Sequence, residues 1–500
     1  MVNLYSVVSR AGSTGRRPGW LSEVQMTADH AMDFYIDGRW RPSVAASAIP
    51  VVNPATEAVI GHVAGGNAAD VDEAVAAARR AFPAFSTTPC AARIDLLRRI
   101  LALLEERAEV FAQAISMEMG CAIAFARASH VPFGIAHVRT QIEVLEHYPF
   151  LIERAGFAVA KEAIGVCALI APWNWPLYQI TAKVAPALAA GCTVVLKPSE
   201  LSPYSALLFA QVMADAGTPA GVFNMVGGVG EVVGAALSAH PDVDMISITG
   251  STRAGIFVAK AAADTVKRVV QELGGKSPNL FLDDADFEMG VAKGVLAGMR
   301  NVGQSCSAPT RIIVPAARLA EVEALAVAAV ETIQVGDPAD PATVLGPIAN
   351  AAQYRRVQAM IEAGIADGAR LICGGPGRPD TMQLGYYARP TIFSDVTPAM
   401  RIAQEEIFGP VLCILPYDSE ADGIALANDT VYGLGAHLQS QDIDRARRVA
   451  GQIRAGQVHL NFPAWCAHAP FGGYKRSGNG REYGEAGFEE YLETKAIVGY

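Results

Sequence analysis

Between Gly165 and Leu273 the sequence alternates short β-branched runs with helical stretches of ten residues or more. Strands joined through helices of that length run parallel, because parallel neighbours need a long crossover while antiparallel ones need only a hairpin. The pattern predicts strands over 166–170, 193–196, 222–226, 244–249 and 266–272, with helices over 177–190 and 203–216, after Val229 and from Thr252. Pro203 behind Ser202 marks a helix start, the serine as cap and the proline in the first turn. The fold class that follows is α/β, with a doubly wound parallel sheet of the nucleotide-binding type. After Gly274-Gly275 a second βα series begins, with strands over 279–282 and 311–314, a helix after Ala317 and a strand-bearing stretch over 405–417. A second α/β domain is expected there.

Ahead of this alternation the pattern differs. Tyr35-Ile36-Asp37-Gly38 reads as a hairpin turn after a short strand, and Asn53-Pro54-Ala55-Thr56 as another turn. Apolar residues at three and four spacing predict helices over 70–82, 91–119 and around 133–147, with Asp70 as the first cap. Residues 1–31 carry Arg10, Arg16 and Arg17 among Gly, Ser and Pro without the apolar run of a secretory signal, and are expected to form a disordered extension. The longest uncharged stretch, 163–182, has the length of a membrane span. Pro172, Asn174 and Pro176 interrupt its centre, so it reads as a strand, a loop and a helix start, and no membrane partner is expected.

Five hundred residues with 51% hydrophobic and 18% charged content suit two or three well-buried domains and exclude a disordered chain. The net charge of −10 disfavours nucleic acid and acidic membranes as partners. Eight cysteines lie far apart, with no Cys-x-x-Cys pair and no histidine at metal spacing. They read as reduced thiols of a cytoplasmic protein, with no metal site.

One cysteine is unlike the others. Cys306 sits in Asn301-Val302-Gly303-Gln304-Ser305-Cys306-Ser307-Ala308-Pro309-Thr310, a run of small polar residues without apolar periodicity. That setting suits a nucleophile, with a helix start near the cysteine expected to lower its thiol. A proton acceptor is then needed, and Glu272, at a strand end before Leu273-Gly274-Gly275, is the candidate; on position alone a solvated strand-end glutamate is the plainer reading. Asn174, between Pro172-Trp173 and Trp175-Pro176, offers a rigidly held amide for an oxyanion. No Gly-x-Gly-x-x-Gly follows a strand. Instead Thr249-Gly250-Ser251-Thr252 places free N–H groups at a strand-to-helix junction, suited to pyrophosphate, and Lys197-Pro198-Ser199-Glu200 places a cation and a carboxylate where ribose hydroxyls would bind. A carboxylate at Glu200 repels a 2′-phosphate, which favours NAD over NADP.

Together with Glu405-Glu406-Ile407-Phe408-Gly409-Pro410 and Pro470-Phe471-Gly472-Gly473-Tyr474-Lys475, these segments resemble the aldehyde dehydrogenase superfamily, collinearly from about Phe34 onward. The resemblance implies a Rossmann-like cofactor domain over 32–146 and 164–275, a catalytic domain over 276–482, and a small β oligomerisation arm from 147–163 and 483–500 that would make a homodimer or homotetramer. It implies that Cys306 attacks an aldehyde, that Asn174 holds the oxyanion, and that Glu272 activates water to hydrolyse the thioester. Lys183 and Glu482 match a lysine and a carboxylate placed in proton relay. Ile170, Pro172, Trp173, Lys197, Ser199, Glu200, Gly230, Gly250, Ser251, Leu273, Glu406 and Phe408 match positions that bind NAD.

The segment from Asn301 to Arg311 is similar to a bacterial branch acting on hydrophobic or oxo-acid aldehydes, while Ile248 departs from the usual aromatic before Thr249. By the same resemblance the substrate tunnel is lined by Trp175, Tyr178, Gln179, Phe462, Trp465 and Phe471, with Ala182 in place of a bulkier side chain. A tunnel of that kind, with no Arg or Lys among its residues, points to medium-chain or aromatic aldehydes over phosphorylated ones. Two rivals stand beside this reading, a coenzyme A-acylating dehydrogenase and a dinucleotide-binding protein without activity. Glu272 argues against the first, because a thiol acceptor needs no water-activating base. The joint presence of Cys306, Glu272 and Asn174 argues against the second.

Overall fold

The strand Val166–Ile170 is buried along its whole length, as a parallel strand covered on both faces must be. In the computed structural model, which describes residues 29–45 and 47–500, it pairs in parallel with Thr193–Lys197, and that strand in parallel with Phe223–Met225. The hairpin Asp33–Ile36 and Arg39–Pro42 continues the sheet in the antiparallel sense. Its turn residues Asp37 and Gly38 both have positive φ, 54° and 76°, the backbone that matches the twist of a hairpin. Most of the expected extension, residues 1–28, lies outside the described residues.

Two compact units are built from this chain. Of the described residues, those from 29 to 119, 126–246 and 493–500 form the first, and 120–125 with 247–492 form the second. The passage from one to the other falls inside the strand Met245–Thr249.

In the first unit the helices start where the sequence places them, but two caps differ from expectation. The first helix, Ala68–Ser86, is capped by Asn67, whose Oδ1 accepts from Ala69 and Asp70 N–H, while Asp70 closes a capping box by accepting from Asn67 N–H. Such a cap is worth about 1 kcal/mol. The expected helix over 91–119 is two helices, Cys90–Glu106 and Ala108–Met119, parted at Arg107, whose guanidinium holds Asp215 at 2.6 Å. Pro203 does open the helix Pro203–Asp215, yet Ser202 makes no cap bond. The buried carboxylate of Glu118 takes that role, accepting from Tyr204 N at 2.6 Å, Ser205 N at 3.2 Å and Ser205 Oγ at 2.5 Å.

The uncharged stretch over 163–182 resolves into strand Val166–Ile170, a loop, and the start of the helix Pro176–Ala190. No helix among the described residues is long and apolar enough to cross a membrane. A separate three-stranded sheet takes Leu151–Arg154, Phe157–Ala163 and Leu492–Val498, with Phe157–Ala163 in the middle. Lys495 Nζ reaches Glu162 across it at 2.6 Å.

The second unit holds a seven-stranded sheet in the order Arg370–Cys373, Thr391–Ser394, Val411–Tyr417, Arg311–Pro315, Pro278–Phe281, Gly435–Gln439 and Gln457–Leu460. All neighbours are parallel except the first pair. The stretch over 405–417 is strand only from Val411, so Glu406 and Phe408 stand in the loop before it. Arg311 is buried in this sheet with its guanidinium satisfied by the carbonyls of Lys276, Leu426 and Ala427. The strand Arg268–Glu272 pairs antiparallel with Gly478–Asn479, which sets Glu272 opposite Gly478.

Candidate active site

The backbone that leads to Cys306 is held in a conformation that L-residues avoid. Asn301, Val302 and Gly303 have φ of 56°, 59° and 70° in succession. A β-branched residue there costs on the order of 1–3 kcal/mol and persists only when its surroundings fix it. Gln304 supplies the fixing: its Nε2 donates to Asn301 O at 3.1 Å and its Oε1 accepts from Ala349 N at 3.0 Å, while Asn301 Nδ2 donates to Gln304 O at 3.3 Å. Cys306 follows, half-buried and in a turn.

The expected helix start at Cys306 is absent; the chain runs on as turn and loop into the strand Arg311–Pro315. No helix N-terminus therefore lowers its thiol. Burial pushes the thiol up, and the carboxylates of Glu406, Glu272 and Glu482 push it further, because each disfavours a second negative charge nearby. The Cys306 thiol is thus held neutral by burial and by three carboxylates.

Glu272, the last residue of its strand, is buried to 1% exposure, so the solvated strand-end reading is set aside. Gly472 leaves room for it: a Cβ at Gly472 would stand 2.8 Å from Glu272 Oε1. Glu406 accepts from Gly275 N at 3.0 Å through Oε1. Burial pushes its carboxyl up to about 7, against the Gly275 hydrogen bond and the Lys276 and Arg356 cations. Phe408, at φ 59°, is held by Gln353 Nε2, which donates to the carbonyls of Ile407 and Phe408. Glu482 and Phe471 exchange backbone hydrogen bonds of 2.7 and 2.9 Å. Phe471 stacks on Tyr483 at 4.9 Å, and Trp465 meets the same ring edge-on at 6.4 Å. Phe462, at φ 52°, lies 5.1 Å from the ring of His437.

Where the helix Thr252–Ala262 begins, Ser251 Oγ caps it by accepting from Ala254 N at 3.2 Å. Thr249 Oγ1, just before Gly250, is buried without a hydrogen-bond partner, the condition of a hydroxyl that waits for a ligand or water. Leu273, next to Glu272, is buried and donates its N–H to Ser477 O.

The first unit carries the remaining predicted residues. Asn174 is buried in the loop before the helix Pro176–Ala190, on which Tyr178, Gln179, Ala182 and Lys183 are buried. Trp175 precedes that helix, with its indole 5.5 Å from the Tyr178 ring. Ile170, Pro172 and Trp173 lead into the same loop. At the end of the strand Thr193–Lys197 the ammonium of Lys197 donates to Pro198 O at 2.9 Å and pairs with Glu200 Oε2 at 3.1 Å. Ser199 Oγ accepts from Leu201 N at 3.2 Å. Nothing stands within 4 Å of where a Cβ of Gly230 would be, in a turn that opens the 230–234 segment. Within this unit the paired Lys197 and Glu200 and the open backbone at Gly230 form a donor set that fits a dinucleotide.

The model of the aldehyde dehydrogenase family matches residues 40–497. This chain belongs to the aldehyde dehydrogenase family. Its chemistry is the oxidation of aldehydes. The chain is 53% identical over 469 residues to the 3-succinoylsemialdehyde-pyridine dehydrogenase of a Pseudomonas species, which covers 94% of this aldehyde dehydrogenase and 98% of that one. A mutant of aldehyde dehydrogenase C from Pseudomonas syringae, solved in complex with NAD+ and octanal, is 65% identical with a TM-score of 0.94 over 94% of this chain and 97% of that one. The Mycobacterium tuberculosis aldehyde dehydrogenase solved with NAD+ is 39% identical, with a TM-score of 0.91 over 94% and 99%. Sequence reasoning overlooked the staple made by Gln304 and the ring of Tyr483 under Phe471 and Trp465. An Asn and a Gln three residues apart before a polar-flanked cysteine is the signal for the first; nothing local marks the second.

Proposed function

We propose that this chain, an NAD-dependent aldehyde dehydrogenase, oxidises a medium-chain, aromatic or oxo-acid aldehyde to its carboxylic acid through covalent attachment to Cys306. The observation that carries the reading is a half-buried neutral thiol on a strained loop with the carboxylates of Glu272, Glu406 and Glu482 around it. Glu272 takes the thiol proton as the sulfur bonds to the aldehyde carbon. The Asn174 amide and the Cys306 backbone N–H hold the oxyanion of the thiohemiacetal. NAD+, when bound, supplies a hydride acceptor. Glu272 passes the thiol proton on through Lys183 and Glu482, and Cys306 carries the acyl group as a thioester until the freed Glu272 draws a proton from water; the hydroxide adds to the acyl carbon, and that proton returns to the sulfur as the acid is released. Lys183 and Glu482 relay protons.

Glu406 and Phe408 hold the nicotinamide ribose and ring, and Lys197, Ser199 and Glu200 hold the adenosine ribose. Ile170, Pro172, Trp173, Gly230, Gly250, Ser251 and Leu273 complete the cofactor contacts. Trp175, Tyr178, Gln179, Phe462, Trp465 and Phe471 line the aldehyde tunnel. The pyridine semialdehyde in one relative's name and the octanal in another's crystal support an aromatic or medium-chain substrate. Cofactor binding is assigned to residues 32–146 and 164–275, and catalysis to 276–482. The strands within 147–163 and 483–500 would join copies into a homodimer or homotetramer in the cytoplasm, a compartment that fits eight free cysteines.

The test follows reduced-nicotinamide absorbance with NAD+ and a panel of aliphatic, aromatic and oxo-acid aldehydes. Steady turnover on the panel, loss of it in Cys306→Ala, and a single burst in Glu272→Gln are expected. A wild-type enzyme that binds NAD+ and oxidises none of the panel overturns the reading.

A further inference from the structure

In the first unit the helix Val131–His147 follows directly from a π-helical turn, Ala126–His130. Pro132 accounts for the wide turn. It has no N–H to donate to Ala128 O, and its ring would strike that carbonyl in a regular helix. His130, the last residue of the turn, shares one helix stripe with Phe133 and His137, three and seven residues on.

That stripe faces the start of the helix Pro176–Ala190. Gly134 allows the approach, since a Cβ there would stand 3.0 Å from Leu177 Cγ and 3.3 Å from Tyr178 N. The ring of His130 lies flat on the indole of Trp175, with centroids 4.0 Å apart and planes 13° from parallel. Phe133 is nearly parallel to the same indole at 6.4 Å. His137 meets Tyr178 edge-on at 4.6 Å. Both histidines are buried, and burial pushes His137 down to about 3, so it acts as a neutral ring.

We propose that His130 is a positioning residue for aldehyde selectivity: its ring, presented by the π-helical turn, fixes the orientation of the Trp175 indole and thereby the enzyme's preference for long-chain and aromatic aldehydes over short ones. The inference rests on the reading of Trp175 as a wall of the aldehyde tunnel. A short aldehyde reaches the nucleophile without leaning on that wall, whereas an octyl chain or a phenyl ring is bound against it. An aromatic stack of this kind sets a KM change of about threefold to tenfold.

The experiment compares kcat and KM for propanal, octanal and benzaldehyde in the wild type, His130→Leu, His130→Ala and His130→Phe, with a crystal structure of His130→Leu. The leucine keeps bulk and removes the flat ring; the phenylalanine keeps the ring. Expected are a rise of about threefold to tenfold in KM for octanal and benzaldehyde in His130→Leu and His130→Ala, an unchanged propanal KM, and kcat within about twofold throughout. His130→Phe restores the wild-type KM values, and the crystal shows a turned indole. Equal losses on all three aldehydes, or an indole unmoved in the crystal, overturn the proposal. If the wild type oxidises none of the three, the aldehyde reading has failed, and the indole orientation still decides whether His130 positions Trp175.

Discussion

Cys306 and Cys413 both belong to the second unit, and burial pushes both thiols up, but their surroundings have opposite charge. Cys413 is fully buried in the strand Val411–Tyr417, its Sγ donates to Ile402 O at 3.3 Å, and the cations of Lys276 and Arg311 pull its thiol back down. Cys306 is half-buried on a strained loop, and carboxylates raise it further. Of these two thiols, then, nearby cations stand beside the one fully buried in a strand, Cys413, and carboxylates beside Cys306. What separates the two is access and the sign of the surrounding charge: Cys306 is half-buried among carboxylates and Cys413 fully buried beside cations. A thiol kept neutral until a carboxylate takes its proton is also protected from unwanted alkylation.

The strongest way to break this contrast is substitution of each sulfur. Cys306→Ala is expected to lower aldehyde turnover by about four orders of magnitude, whereas Cys413→Ala leaves it within about threefold and costs about 1–2 kcal/mol in denaturant unfolding. Comparable activity losses in the two variants would erase the distinction. Glu272→Gln should lower steady turnover by about two to four orders of magnitude while a single, slower burst survives, with another carboxylate taking the thiol proton; absence of the burst, read by stopped flow, would mean that no other group can take that proton.

A buried carboxyl outside the site sharpens the comparison. Glu118, like Glu406, is pushed up to about 7 by burial, but it caps a helix and has no nucleophile beside it. The folded chain holds its proton more tightly than the unfolded chain, so its stabilising contribution is complete below about 4.5 and is lost as pH rises through about 7. The loss is up to about 3 kcal/mol. Unfolding at pH 5 and pH 8 should show that drop in the wild type and not in Glu118→Gln; an identical drop in both assigns it elsewhere.

The smallest effect concerns strain. Val302→Gly should lower stability by about 1–2 kcal/mol, since the lost core side chain outweighs the strain relieved where glycine accepts a φ of 59°, while kcat falls as the loop before Cys306 loosens. A destabilised variant with unchanged kcat would show that the strained loop has no part in positioning the thiol. Alkylation of the free enzyme by iodoacetamide offers a parallel reading. Its rate at Cys306 should keep climbing with pH beyond the range where an ordinary thiol is fully ionised, and an early plateau would contradict the carboxylate ring.

What the sequence revealed follows the range of the forces involved. Val166–Ile170 is legible to the residue because a fully buried parallel strand needs an unbroken apolar run, and such a run is visible in five letters. The turn at Asp37-Gly38 is legible because few residues accept its backbone. The cap at Asn67 was misread as Asp70 because both residues take part in one box, three positions apart. Ser202 was misread because its substitute, Glu118, is remote in the chain and only packing brings it there. Around Cys306, the burial of Glu272 and the positive φ of Val302 were not legible in the sequence. Both depend on partners such as Gly472 and Gln304 that no local spacing announces.

The small sheet that joins Phe157–Ala163 to Leu492–Val498 bridges residues 333 positions apart at the Lys495–Glu162 pair. On a ribosome adding roughly 5–20 residues each second, the inner strand waits on the order of tens of seconds for its neighbour to be made. Throughout that interval the nascent chain shows a bare strand edge, a template for pairing with any other extended segment. The yield of active enzyme in a cell is thus set in part by a clock, and slower synthesis or scarce chaperones should lower it without touching a single catalytic atom.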